Sequence, residues 1–520
     1  MTILKGKKIS LFLFLIGFFT LSYFLLQWWA KNYVEDFLSQ KLPSELELKH
    51  ADLNINILFG NVTLHDAIIK IKSTDSLKHH TFLELKSLDL RSLKYSDLLF
   101  NETLSLSKIV LKEPKIRFYP DRKSKPNKQK AKPKKKGIKD IEFNELNIVN
   151  GGITIFDAKT DRIKSSAESL NLKVSEIKID LKPNVNKPFS FKAYDLKARN
   201  VILGNSNYET FKISQLNLNK DTWKLENLQI VPKYSKTALS QHLKKERDHI
   251  ILNIPKVFLN NVDFNFFENR FGIVITSAEI INPKLKVYRD KLLPDDLTVK
   301  PLYSKSLRNL DINLAIKKTE IKNGYISYAE LVEKDKNAGE LFFNQVDATI
   351  NQISNHKNAD TTEINIHSKL MGTAPLELQW RFDVNNTTDA FEVSGSINNL
   401  QANLLNPFFK PNLNALAEGT LQQMFFTFYG NTLEAKGEMK MKYEDFEFKI
   451  LRQNSFKINK VLTTIGNLFI SDGSKTDPEG FRHGAIEAER DATKSFFNYL
   501  WINIKNGVIS TLTGNGNQKK

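Results

Sequence analysis

The sequence predicts a mainly β chain with one membrane helix at its N-terminus and one amphipathic helix at its C-terminus. Three observations lead there. Apolar and polar residues alternate with period two along most of the body, the mark of strands with one apolar and one solvated face. Only one apolar run, near the N-terminus, is long enough to cross a bilayer. Only one strong stripe at three- and four-residue spacing occurs, near the C-terminus. At 520 residues the chain is too long for one ordinary core and suits either several domains or one elongated repeat body. With 41% hydrophobic and 26% charged residues it is not a disordered chain. A mean hydropathy of −0.36 excludes a polytopic membrane protein. The absence of cysteine removes disulfides, thiolate metal sites and cysteine nucleophiles.

Residues 1–8 carry Lys5, Lys7 and Lys8 and read as a cytoplasmic N-terminus. Residues 9–29 read as a transmembrane anchor, because Ile9–Leu26 is uncharged and about twenty residues cross a bilayer. Trp28 and Trp29 follow it where an interfacial aromatic belt belongs. A cleaved signal peptide is the rival, but two tryptophans and a single small residue, Ala30, do not make an A-x-A-like cleavage region. The expected topology is single-pass in the cytoplasmic membrane, with the bulk of the chain outside the cytoplasm.

Residues 31–120 read as a first β segment. Residues 140–484 read as a longer β body, where Leu376, Leu378, Trp380, Phe382 and Val384 alternate with Glu377, Gln379, Arg381 and Asp383. Met439, Met441 and Tyr443 alternate likewise and, after a one-residue slip at Asp445, Phe446, Phe448 and Ile450 continue. Asn385–Asp389 and Tyr429–Thr432 read as hairpin turns. Thr237–Asp248 reads as a short polar helix. Residues 485–513 read as the amphipathic helix, striped by Phe497, Leu500, Trp501, Ile504, Val508 and Leu512. Such a stripe suits either packing on its own domain or a membrane interface. Residues 514–520 read as a disordered tail.

A weak repeat ends at Asp66, Asp157 and Glu330. It aligns Ile57, Ile148 and Ile321, then Gly60, Gly151 and Gly324, and reads as strand, glycine turn, strand: a hairpin. A fourth copy, Pro255–Glu268, has Val262 in the glycine's place.

Asp121–Lys139 holds ten basic residues and one acid, with Pro126 and Pro133, and reads as a solvated disordered loop. It contributes half of the net +18. Lys134, Lys135 and Lys136 are its candidate contacts to an anionic surface. With no interleaved aromatic, the segment does not read as a nucleic-acid site. A solubilising insertion with no partner is the plainer reading. No nucleophile elbow, P-loop or H-E-x-x-H occurs. Histidines are scattered, so neither an enzyme, a metal site nor any cofactor is expected.

Lys41–Asp66, following a single anchor, resembles the opening of AsmA-like proteins. Asn398–Ile450 resembles their C-terminal region, through Leu405-Asn406-Pro407, Gly419, Phe426, Phe428, Gly430, Gly437 and Tyr443. The Lys-rich loop and Val262 depart from a regular family pattern. The resemblance implies an elongated, curved antiparallel β-groove built from successive hairpins, apolar inside, in the periplasm. It also implies a role in moving phospholipids or supporting outer-membrane biogenesis. Leu376, Leu378, Trp380, Phe382, Phe391, Val393, Met439, Met441, Phe446 and Phe448 are then the candidate lining of the groove. Membrane phospholipid is the expected partner. The same alternation fits a dry β-sandwich core, and the alternative function is a structural scaffold or assembly factor docking an envelope protein.

Overall fold

In the computed structural model the described residues are 3–40, 45–73, 78–122, 139–180, 189–267, 270–451 and 476–513. Strands hold 60% of the residues and helices 17%, so the mainly β expectation holds. The chain divides into two compact units, Met1–Ser206 with Ile213–Lys220 and Asn207–Lys212 with Asp221–Lys520. Lys134, Lys135, Lys136 and the 514–520 tail lie outside the described residues.

The first unit opens with helix α1 (Ile3–Gln40), which contains the apolar run. Among the described residues no helix is long and apolar enough to cross a membrane. Strands β1 (Leu46–Lys49), β2 (Asp52–Asn56), β3 (Asn61–Lys72) and β4 (His79–Arg91) follow. Next come helix α2 (Tyr95–Phe100) and strands β5 (Thr103–Lys112), β6 (Lys115–Phe118), β7 (Asp140–Phe156), β8 (Ile163–Asp180), β9 (Phe189–Ser190) and β10 (Ala193–Asn205). Strand β11 (Glu209–Asn219) contributes residues to both units.

The second unit continues with β12 (Thr222–Pro232), helix α3 (Lys236–His242), β13 (Asp248–Phe267), β14 (Arg270–Ile281), β15 (Lys284–Asp290) and helix α4 (Tyr303–Arg308). It then runs through β16 (Asn313–Leu331), β17 (Gly339–Ser354), β18 (Thr362–Leu370), β19 (Ala374–Phe382), β20 (Phe391–Gln401) and helix α5 (Asn406–Leu413). Strands β21 (Ala415–Gly430), β22 (Glu434–Ile450) and β23 (Arg482–Glu489) and helix α6 (Phe496–Thr513) complete it. From β16 to β23 each strand pairs antiparallel with the next, and both expected turns connect neighbours in this meander.

The hairpin rule is broken twice, in the same way. In the first unit β5 and β6 lie end to end, antiparallel to β4 on one side and parallel to β7 on the other. In the second unit β14 and β15 lie end to end between β13 and β16 with the same senses. Each interrupted row breaks at a left-handed residue followed by proline: Glu113 at φ 49 before Pro114, and Asn282 at φ 52 before Pro283. Proline has no N–H for the ladder, which stops one strand and starts the next. The surrounding hydrogen bonds correspond. Glu113 N–H donates to the Val149 carbonyl at 2.8 Å and Asn282 N–H to that of Lys322 at 2.9 Å. Gly152 N–H donates to Pro114 at 2.7 Å and Tyr325 N–H to Pro283 at 2.8 Å.

This pair of breaks corrects the repeat. Only the first copy is a hairpin, with Gly60 at φ 61 in the turn between β2 and β3. In β7 and β16 the chain runs straight through Gly151 and Gly324, with register shifts on both sides of each. The left-handed residue there is the preceding asparagine, Asn150 at φ 53 and Asn323 at φ 52. These are β-bulges in long strands. The glycines make room for proline: a Cβ on Gly151 would meet Pro114 Cγ at 3.0 Å, and one on Gly324 would meet Pro283 Cγ at 3.3 Å. The copy with Val262 keeps the left-handed asparagine, Asn261 at φ 52, but its pairing with β14 runs through that position without a register shift, so it is not a bulge of the same kind.

The C-terminal helix is shorter than expected. Arg482–Glu489 is strand β23, paired with β22, and its burial alternates strictly. Ala485, Glu487, Ala488 and Glu489 favour helix in isolation, but pairing along β22 overrides that preference. The expected helix Thr237–Asp248 also shortens, to α3, because Asp248 already opens β13.

Candidate functional site

Because side chains alternate along a strand, in-register pairing stacks the apolar positions of neighbouring strands into rows on one face. In the second unit one row runs through Leu225, Val257, Ile280, Ile321, Ala348, Ile366, Leu378, Gly395, Phe426, Met439 and Gly484. A second row beside it runs through Trp223, Leu259, Ala278, Thr319, Ile350, Ile364, Trp380, Val393, Phe428, Gly437 and Ile486. Ten steps of about 4.8 Å make each row roughly 48 Å long. The first unit has its own rows, such as Leu53, Leu64, Leu88, Leu111, Ile148, Leu172 and Leu196.

Coverage along these rows is uneven. At one end of the second unit, Val393, Phe428 and Ile486 are fully buried and Met439 and Met441 are 1% exposed. Helix α6 closes that end. Phe496 stacks on Trp380 with ring centroids 4.3 Å apart and meets Phe391 edge-on at 5.2 Å. A Cβ on Gly507 would meet Met439 Cε at 2.8 Å, so glycine lets the helix lie close on the sheet. At the other end Trp223, Leu225, Leu259, Ile280 and Ile321 are half-buried. In the first unit Val34 and Leu38 of α1 pack over Leu53, Ile55 and Leu64, whereas Leu111, Ile148, Leu172 and Leu196 are half-buried.

The ten candidate lining residues divide accordingly. Phe382, Phe391, Val393, Met439 and Met441 are buried in the core closed by α6, where they have the surroundings of a dry interior. Leu376, Leu378 and Trp380 are half-buried against that core. Phe446 and Phe448 are half-buried in β22, with Phe448 edge-on to Phe409 at 5.8 Å. The half-buried Trp223, Leu225, Leu259, Ile280 and Ile321 of β12–β16 are absent from the candidate set. Trp28 and Trp29 lie exposed on α1.

A buried ion cluster fixes the lead-in to α6. The Glu246 side chain is 2% exposed. Its carboxylate accepts from Lys291 at 2.6 Å and Lys494 at 3.2 Å, with Arg289 at 3.9 Å. Burial pushes this carboxyl up, but Lys291, Arg289 and Lys494 outweigh it and hold it below the ordinary range. Lys494 also meets Asp295 at 2.8 Å, and Arg289 forks onto Asp248 at 2.7 and 2.8 Å. Lys300 Nζ donates to the Thr493 carbonyl at 2.6 Å, and its backbone accepts from Arg490. The segment between β15 and α4 therefore holds the turn from which α6 starts.

Among the described residues no group of three or more His, Asp or Glu is placed to hold a metal ion. His79 and His80 have separate neighbours, Glu47 at 3.2 Å and Thr81 at 2.7 Å. No family model matches the chain, and no curated protein matches it.

Proposed function

We propose that this protein is a membrane-anchored carrier whose apolar sheet face receives phospholipid acyl chains and lets them move along the rows. The observation that carries the reading is their continuity: eleven strands in register present apolar or small residues on one face, and much of that face is only half-covered. A side chain in that state gains by contact with a methylene chain, at about 0.8 kcal/mol per buried CH₂. The rows repeat the same chemistry from strand to strand, so a sliding chain exchanges like contacts for like. Headgroups would remain at the wet margin, since the opposite alternation is charged, as at Lys256 and Glu279. The resemblance to AsmA-like proteins, an envelope location and a periplasmic body belong to the same proposal.

Mass spectrometry of lipid retained by the purified full chain tests it. The wild type should carry phospholipid, and an Ile280→Asp/Ile321→Asp variant should retain several-fold less, because two carboxylates in the row must be desolvated by any chain that passes. Equal lipid in both proteins would refute the assignment to this face.

A further inference from the structure

The first unit carries a second apolar surface, separate from its rows. The β2–β3 turn exposes Leu58 and Phe59 by 71% and 64%, and the far end of α2 exposes Leu99 and Phe100 by 73% and 82%. Large apolar side chains exposed at each of two tips are of the kind that marks an interaction site.

Hydrogen bonds tie the β2–β3 turn to α1 and the start of α2 to that turn. The Ile57 N–H donates to Gln27 Oε1 at 3.1 Å. The Tyr95 hydroxyl, at the start of α2, donates to the Ile57 carbonyl at 2.8 Å. Leu93 N–H donates to the Gly60 carbonyl at 2.9 Å, and the chain there approaches so closely that a Cβ on Gly60 would meet Leu93 O at 2.7 Å. Gln27 also marks a boundary along α1. After it, Val34 and Leu38 pack on the sheet. Before it, Phe18, Phe19, Leu21, Phe24, Leu25 and Leu26 are exposed. Trp28 and Trp29 follow Gln27 directly, where an aromatic belt sits at a bilayer surface.

We infer that Leu58, Phe59, Leu99 and Phe100 insert into the interfacial layer of the bilayer that holds α1, giving the first unit a second, non-spanning contact with phospholipid beside its helix. The inference rests on the reading of α1 as a membrane anchor. Its specific content is that the turn and α2 enter the acyl–headgroup boundary as an interfacial segment does. The sheet then starts at the lipid surface, held by two tips and a helix instead of hanging from a single tether.

The absence of cysteine makes the test direct. Single variants Phe59→Cys, Leu99→Cys, Phe19→Cys and Thr388→Cys of the full chain are labelled with an environment-sensitive fluorophore. They are then reconstituted in phosphatidylethanolamine–phosphatidylglycerol vesicles, with and without a spin-labelled phospholipid. Labels at 59 and 99 should emit to the blue of the label at 388 and lose about half their intensity or more to the spin label, as an interfacial position requires. Quenching at 19 with water-like, unquenched emission at 59 and 99 would overturn this inference and leave the anchor standing. No quenching at 19, 59 or 99 would overturn both. A blue shift at 59 and 99 that is insensitive to the spin label and vanishes on dilution would assign the patch to a second copy of the chain, and also overturns the inference.

Discussion

Replacing Glu246 by Gln should destabilise the second unit and loosen its C-terminal cover. The variant keeps the shape of the side chain and removes its charge from a site where Lys291, Lys494 and Arg289 converge. Removing one partner of a buried pair costs about 3–5 kcal/mol, because the remaining charge stays desolvated. Here Lys494 retains Asp295 at 2.8 Å and Arg289 retains its two contacts with Asp248, so the lower end, about 3 kcal/mol, applies. At about 2–4 °C per kcal/mol that lowers Tm by roughly 6–12 °C. Thermal unfolding of the full chain followed by near-ultraviolet circular dichroism reads it. Hydrogen exchange on the α6 amides should accelerate in parallel, since Lys494 stands just before the helix. The contribution also has a sign in pH. A carboxyl held below its ordinary value stabilises the fold above the unfolded pKa and ceases to do so as pH falls through the folded one. The wild-type advantage over the variant should therefore shrink on acidification from neutral pH. A double-mutant cycle with Lys494→Met should return a coupling of about 0.5–3 kcal/mol. A Tm within about 1 °C of wild type, with unchanged exchange in α6, would refute the reasoning, because a loss on the order of 3 kcal/mol cannot be so small in Tm.

Three further outcomes follow from the geometry. Asn323→Ala should cost about 1–2 kcal/mol in urea unfolding, since the bulge needs a left-handed backbone at φ 52, whereas Asn323→Gly should cost much less. Gly507→Leu should cost on the order of 1–3 kcal/mol or displace α6, because a Cβ there already meets Met439 and Ile486 inside 3.0 Å. Hydrogen bonds from Lys108 and Lys173 hold Glu145 at about 2 against a usual value of 4.5, so its support is present above pH 4.5 and lost as pH falls through that lower value. The stability difference between wild type and Glu145→Gln, measured by urea unfolding across that range, should close as the medium becomes acid.

Much of the second unit was legible from periodicity. Leu376 to Phe382 and Met439 to Ile450 form strands as their alternation predicts, with Val384 falling in the turn beyond, and the slip at Asp445 is a true bulge with φ 47. Asn-Gly misled at 150–151 and 323–324, because a left-handed asparagine before glycine marks a hairpin turn and a bulge in a long strand equally well. The two parallel crossings were illegible, since partner choice between distant strands leaves no local signal. Pro114 and Pro283 marked where a row would break but not which strand lay beside it. The C-terminal strand was hidden by helix-forming alanine and glutamate. The sequence also cannot tell a covered apolar face from an open one. Met439 and Leu259 alternate with polar neighbours in the same manner, yet α6 seals the first and leaves the second half-covered.

The most direct measurement is photocrosslinking in cells, with a photoreactive residue placed in the full chain at Leu259 or Ile280 on the row face and at Lys256 or Glu279 on the opposite face. Phospholipid adducts identified by mass spectrometry at 259 and 280, and absent at 256 and 279, are the predicted result. Adducts to protein alone, or equal lipid labelling of both faces, would contradict the proposal that the apolar rows carry acyl chains.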